Sequence, residues 1–354
     1  MALRPFKVVL TATGCPGAAT LIRMLKANGE REIVIHGVDM RADAIGRFLC
    51  DGFETVPPGV HPDYIPRLLE IVERERPDVL FVQSSHEVGP IARHRQAFAA
   101  LGAAPLVASP EAIDLCNDKA RMHAALQDAA PHDAAVHVPQ PRLLLPRSLD
   151  EFIDGARELG YPDRPVCFKP PVSKGSRGFR VLAAGVDKLE QLLNERPGEL
   201  TMSLEEFAQL LAGREPFPEL MLMEYVAGEE YTVDALVDGG EIVLAQTKTR
   251  EAIDKGLAMA FKTVDRPDLL AVARAVCRRL RLDWFVNIQF KGGVLLEVNP
   301  RVSTFVYQDD FILPYLGIKY ALGELDAATA AAAQARLRPS RRTVRYYDQV
   351  FWDA

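Results

Sequence analysis

The chain has 354 residues, 48% hydrophobic and 25% charged, with a formal net charge of −6. That length predicts two or three domains with ample core, and the composition excludes a disordered chain. The acidic balance argues against nucleic acid or a membrane surface as a general partner, although a local basic cluster for a nucleotide phosphate remains compatible with it.

In chain order, residues 6–13 (FKVVLTAT) read as a buried strand, and Gly14-Cys15-Pro16-Gly17 opens a helix over 18–27. A strand over 32–38 ends at Asp39. Strands at 78–82 and 104–107 then alternate with helical patterns at 63–76 and 90–101. Such alternation predicts a parallel sheet covered by helices, so residues 1–115 form a Rossmann-like unit. Gly14, Gly17 and Asp39 sketch a dinucleotide fingerprint, which would admit a nicotinamide-dependent oxidoreductase. It is incomplete, because Pro16 interrupts the turn and Ala19 or Thr20 stands at the third glycine position. A tight strand-to-helix turn explains the glycines equally well.

The middle of the chain changes character. Ser109-Pro110-Glu111 suits a helix start, and Asn117 is expected to start another helix carrying Lys119 and Arg121. Ser148-Leu149-Asp150-Glu151 forms a capping box for a helix over 149–159, and Ser203-Leu204-Glu205-Glu206 forms a second. Strands are expected at 165–170, 178–182, 219–226, 230–237 and 241–249, with Asp238-Gly239-Gly240 as a hairpin turn. Pro267 starts a helix over 268–281 with Leu269, Val272, Val276 and Leu280 on one face. The Ala-rich run 327–336 reads as a short helix.

The five cysteines, Cys15, Cys50, Cys116, Cys167 and Cys277, are scattered and form no CxxC pair. They predict reduced thiols in a cytoplasmic protein. The opening MALRPFKVVLTATG reaches a glycine turn too soon for a signal peptide. No apolar run approaches the roughly 18 residues of a membrane span.

The most informative segment is 286–301, VNIQFKGGVLLEVNPR. It reads as a tight hairpin whose second strand carries Glu297 and Asn299 on one face. A three-residue loop Lys291-Gly292-Gly293 would set Glu297 opposite Asn287 and diagonal to Gln289; a two-residue Gly-Gly turn would send Gln289 to the other face. In the first register, Gln289, Glu297 and Asn299 converge hard oxygen donors of the kind Mg²⁺ takes. Glu297 is flanked by Val294, Leu295, Leu296 and Val298, where a carboxylate needs a cation or several donors.

Lys169 ends the apolar strand PVCFK. Residues 173–178 follow as Ser173, Lys174, Gly175, Ser176, Arg177 and Gly178, a run that can bring backbone N–H groups and positive charge onto phosphate. It is not the P-loop pattern, and alone it also suits a hairpin turn. In ELMLMEYVAGEEYTVDALV, residues 219–237, Glu224, Glu229 and Glu230 cluster at a connection between strands. That connection can offer backbone groups to a purine edge and a carboxylate to ribose, or be a solvated hairpin.

Lys119, Lys169, the 173–178 loop, Glu224-Tyr225-Val226 with Glu230, and the set Gln289, Glu297, Asn299 and Arg301 occur in the order of the ATP-grasp superfamily. Together they resemble the branch of the carbamoyl phosphate synthetase large subunit and related carboxylate–amine ligases, LLEVNPR being the most specific motif. The chain is too short for a complete two-module synthetase of that kind. The resemblance implies an α/β (α+β) ATP-grasp fold: a Rossmann-like preATP-grasp domain at 1–115, a central and lid subdomain at 116–225, and a C-terminal subdomain with the metal hairpin at 226–354.

By position, Lys119 and Lys169 would contact ATP, and Ser173, Lys174, Gly175, Ser176, Arg177 and Gly178 would form a mobile loop over the triphosphate. Glu224, Tyr225 and Val226 would border adenine, the last two through the backbone, and Glu230 would hold the ribose. Gln289, Glu297 and Asn299 would bind one or two Mg²⁺ ions, with Mn²⁺ as a substitute. Many relatives carry an acidic residue where Gln289 stands.

The implied reaction is an ATP-dependent ligation. A small-molecule carboxylate attacks the γ-phosphate, and an amine, ammonia or a thiol displaces phosphate from the acyl phosphate. Arg250 and Arg301 are the candidates for holding the transferred group, the alternative for Arg250 being a surface residue of the linker TKTREAIDKG. His86 and Glu87 stand after a strand, where open α/β sheets bind ligands, and are candidate substrate contacts unless they simply begin the next helix. A homodimer is one expected assembly; a catalytically silent ATP-binding module is the alternative to an enzyme.

Overall fold

In a computed structural model, the structure describes residues 3–127, 136–173, 175, 177–194, 201–254, 257–303 and 308–353. Lys174 and Ser176 of the expected phosphate loop lie outside the described residues.

The first sheet is parallel, in the order Gly52–Thr55, Ile33–Asp39, Phe6–Leu10, Val79–Phe81, Ala104–Pro105. Its inner strands are predominantly apolar, with Lys7, His36 and Asp39 as exceptions, because helices cover both faces. From Phe6–Leu10 the chain steps first to one side and later to the other. The loops after Leu10 and Phe81 therefore flank the switch point where such sheets bind ligands. The expected helix over 90–101 is two, Val88–Arg93 and Arg95–Ala100. His94 interrupts it: its Nδ1 lies 2.9 Å from the Pro90 carbonyl, which the His94 N–H would otherwise take.

A five-stranded sheet follows, in the order Leu143–Leu144, Met221–Glu224, Val166–Lys169, Arg180–Leu182, Thr201–Met202. Val166 and Phe168 face a core with Phe152, Phe207 and Leu222. Cys167 faces the opposite side with Met221 and Met223, and period two sets Lys169 beside it. Ser148 and Ser203 cap the helices Leu149–Leu159 and Leu204–Leu211 as expected. Only Ser203 completes the reciprocal box, because Glu151 accepts from the Arg147 N–H instead.

The third sheet is antiparallel, in the order Glu241–Thr249, Glu230–Asp238, Trp284–Lys291, Val294–Asn299. One face, with Val233, Ala235, Ile288 and Phe290, packs on the helix Pro267–Arg279 in a core that continues to Val9 and Leu80 of the first sheet. The other face turns polar beyond Leu236, Leu244 and Phe285. A small sheet of Glu251–Asp254, Leu257–Lys262 and Arg342–Val344 lies alongside. The Ala-rich helix Ala327–Ala335 is capped by Asp326, and its Gln334 amide bonds both backbone groups of Ala245. No helix among the described residues is long and apolar enough to cross a membrane, and all five cysteines are free thiols.

Candidate functional site

The hairpin resolves its own register. Lys291 pairs with Val294, so Gly292 and Gly293 form a two-residue turn, with φ of 54° and 85°. The three-residue loop is thus corrected. Gln289 nevertheless stays beside Glu297: the register shifts between Gln289 and Phe290, Leu296 bulges out, and Gln289 pairs with Glu297 as Asn287 pairs with Asn299.

Period two across four strands stacks polar side chains in rows on this face. One row is Lys248, Thr232, Gln289 and Glu297; the next is Gln246, Asp234, Asn287 and Asn299. Asn287, buried at 2% exposure, donates to Asp234 Oδ1 at 2.7 Å. Its own oxygen accepts from Gln289 Nε2 at 3.1 Å and Asn299 Nδ2 at 3.4 Å, and the Asn299 amide also donates to Glu297 Oε1 at 3.1 Å. Asp234 and Lys248 form an ion pair at 2.5 Å, each side chain 1% exposed.

Burial alone would push the Glu297 carboxyl up. Lys169 and then Lys119 outweigh it, followed by the Asn299 amide and Arg250, so Glu297 sits below its ordinary value and stays ionised. One ionised carboxylate with two amide oxygens at its side is a hard-oxygen set that fits Mg²⁺.

Lys119 opens the helix Lys119–Gln127 and donates to the Ser173 carbonyl at 2.8 Å. The expected start at Asn117 is two residues early: Asn117 ends the preceding helix, and Asp118 accepts from the Arg121 N–H. An antiparallel bridge between Asp118 and Val172, and a bond from the Lys119 N–H to the Pro171 carbonyl at 3.0 Å, fix the loop's base. Ser173 Oγ donates to the Pro170 carbonyl at 3.1 Å. Gly175 and Gly178 take φ of 62° and 76°, and Arg177 is exposed.

Opposite the loop, Glu224 accepts from the Arg142 N–H, and Tyr225 OH accepts from Lys291 Nζ at 3.3 Å. Val226 is half-buried. Gly292 lies against this connection, its N–H donating to the Glu229 carbonyl at 2.9 Å. A Cβ there would lie 2.5 Å from the Ala227 oxygen. Glu230 faces Arg250 at 3.4 Å and Lys291 at 3.6 Å. Arg250 is therefore no surface linker residue: its side chain is 5% exposed.

Arg301 leaves the hairpin for the loop after Val79–Phe81, donating from Nε to Ser85 Oγ at 2.7 Å. It thus bridges the polar face and the switch-point loop. His86 is exposed there. Glu87 is turned inward, accepting from Thr11 Oγ1 at 2.7 Å, and its backbone opens the helix Val88–Arg93. Asp39, the acidic residue of the dinucleotide pattern, accepts from the Gly14 and Arg41 N–H groups at 2.7 and 2.9 Å. It braces two loops.

Asp234, Lys248 and Gln246 were not singled out by the sequence, and Asn287 entered only as a cross-strand neighbour of Glu297. Their signal was polar residues at period two in strands that are otherwise apolar: Thr232 and Asp234, Gln246 and Lys248, Asn287 and Gln289.

Residues 216–343 match the family described as "ATP-grasp in the biosynthetic pathway with Ter operon". The carbamoyl phosphate synthase large chain of Clostridium acetobutylicum is 24% identical over 258 residues, which are 69% of this chain and 21% of the relative. The chain thus spans about a fifth of that relative's length. Two solved structures share the fold. The biotin carboxylase domain of Hydrogenobacter thermophilus 2-oxoglutarate carboxylase, in complex with MgADP, ADP and bicarbonate, has a TM-score of 0.64 at 15% identity, over 96% of this chain and 74% of its own. The L-amino acid ligase of Bacillus licheniformis has a TM-score of 0.62 at 12% identity, over 96% and 79%. Residues 216–343 thus match an ATP-grasp family model, and the chain is similar to carbamoyl phosphate synthase large chains and shares the fold of these solved structures.

Proposed function

We propose that the protein is an ATP- and Mg²⁺-dependent ligase that joins a small carboxylate to an amine through an acyl phosphate, releasing ADP and phosphate. Ammonia and thiols belong to the same class of acceptor. The observation that carries the reading is the convergence of Glu297, Asn299 and Gln289 on one sheet face, with Lys169 and Lys119 near enough for their positive charge to keep the Glu297 carboxyl ionised. Its three units are residues 1–115, 116–225 and 226–354.

In this reading Lys119, Lys169 and the 173–178 loop take the phosphates, Tyr225 and Val226 border the base, and Glu230 takes the ribose. Glu297, Asn299 and Gln289 hold Mg²⁺, which neutralises phosphate charge; Mn²⁺ substitutes for it. Arg301 and Arg250 hold the transferred phosphoryl group and the acyl phosphate. No protein nucleophile is needed, because the chain's part is to position reactants and balance charge. A homodimer belongs to the same reading, and sedimentation would show twice the mass of one chain.

The test combines binding and turnover. Mg·ATP raises the melting temperature by mass action, by about 2.7 kcal/mol of stability at one hundred times its Kd, and NAD(H) and NADP(H) do not. ADP release is then screened against amino acids and other small carboxylates. Stabilisation by nicotinamide cofactors alone would sink the reading. Binding without ADP release across the panel would make the protein a silent nucleotide-binding module.

A further inference from the structure

We infer that Asp234 is a positioning residue for the cation site, setting through Asn287 which atom the Gln289 and Asn299 amides present to it. The inference rests on the proposed Mg²⁺ reading and deepens it.

Asp234 is buried and ionically paired, so it can only accept hydrogen bonds. One oxygen faces Lys248 Nζ at 2.5 Å and the other takes the Asn287 NH₂ at 2.7 Å. An amide has a donor end and an acceptor end. Once its NH₂ is committed to Asp234, Asn287 must turn its oxygen the other way, and that oxygen meets the NH₂ groups of Gln289 and Asn299 at 3.1 and 3.4 Å. Both amides are thereby held nitrogen-inward, leaving their oxygens as the atoms for a cation. A carboxylate two hydrogen bonds removed from the ligands thus decides the polarity of three amides, Asn287 and through it Gln289 and Asn299.

Asp234→Asn tests this sharply. The Lys248 ammonium only donates, so it takes the new amide's oxygen and turns its NH₂ toward Asn287. Asn287 must then flip, Gln289 and Asn299 flip with it, and NH₂ groups face the cation. Adding Lys248→Met removes that constraint and lets the new amide offer its oxygen to Asn287 again.

The measurement is Mn²⁺ binding to the full-length protein with ADP, by electron paramagnetic resonance, beside ADP binding without metal. Asp234→Asn should weaken Mn²⁺ by about 10-fold or more and leave metal-free ADP binding unchanged, and the double variant should recover most of the loss. Unchanged Mn²⁺ affinity in Asp234→Asn, or no recovery in the double variant, overturns the inference. If the wild type itself binds no Mn²⁺ with ADP, the metal reading falls and takes the inference with it. Should Asp234→Asn not fold, Asn287→Ala removes the shared acceptor and must show the same selective loss; wild-type Mn²⁺ affinity there overturns the proposal.

Discussion

Gln289 lies directly opposite Glu297 across a hairpin that only Gly292 and Gly293 turn. Pairing counted from that turn alone would put Ile288, a core residue, opposite Glu297 and drive the carboxylate into the apolar core. Leu296 prevents this by adding one unpaired residue to the second strand, which shifts every later side chain to the other face. The cleft chemistry depends on this one-residue irregularity.

Glu297→Gln keeps the volume and removes the charge. Turnover should fall by about two orders of magnitude or more once a substrate pair is known, while the melting temperature of the free protein changes little. ADP formation beside a thermal melt measures both. Near-normal turnover would remove Glu297 from the cation site.

Burial pushes the Glu87 carboxyl up to about 7, despite the Thr11 hydroxyl that donates to it. An acid whose folded value exceeds its unfolded one binds its proton more tightly when folded. Stability should therefore fall as pH rises from about 4.5 to 7, by at most about 3 kcal/mol from this group. Glu87→Gln retains an acceptor for Thr11 without the ionisation. Relative to wild type it should gain stability at pH 8 and lose that advantage at pH 5. Urea denaturation at both pH values reads it, and a pH-independent difference contradicts the assignment.

Gly292→Ala should cost about 1–3 kcal/mol, because the residue takes a left-handed φ and its new Cβ would meet a backbone oxygen that has little room to yield. The same variant should show a smaller thermal shift with Mg·ADP, since the displaced connection carries Tyr225 and Val226. Wild-type stability in denaturant would contradict it.

Arg177 is exposed and lies between Gly175 and Gly178, both in left-handed conformations, an accessible trypsin site. Mg·ATP should slow cleavage after Arg177, because a loop closing over phosphate excludes solvent and protease. Equal cleavage rates with and without nucleotide would leave 173–178 an ordinary turn.

The parallel first sheet was legible because strand and helix alternate with clear punctuation, and Ser109, Ser148 and Ser203 marked helix starts through local chemistry. Glu297 and Asn299 stood out because a carboxylate in an apolar strand calls for compensation. The bulge at Leu296 was not legible, since nothing in VLLEVN distinguishes the residue that will go unpaired. Asp234 and Lys248 stayed hidden for a related reason. Their pairing depends on the register of two strands, and each alone looks like a polar residue on a surface edge. Asp118 displaced Asn117 as the helix start because it bridges to Val172, a contact distant in sequence that local propensity does not contain.

Among the described residues, backbone bonds tie the segments flanking the Lys169 sheet to their neighbours at separate points: the Gly292 N–H to the Glu229 carbonyl, the Leu295 N–H to the Pro139 carbonyl, and the bridge of Val172 to Asp118. Gly292 and Leu295 belong to the hairpin that carries Glu297. The strand that presents the carboxylate and the connection that follows Tyr225 and Val226 therefore share one seam, and a change in the turn is felt on both sides of it.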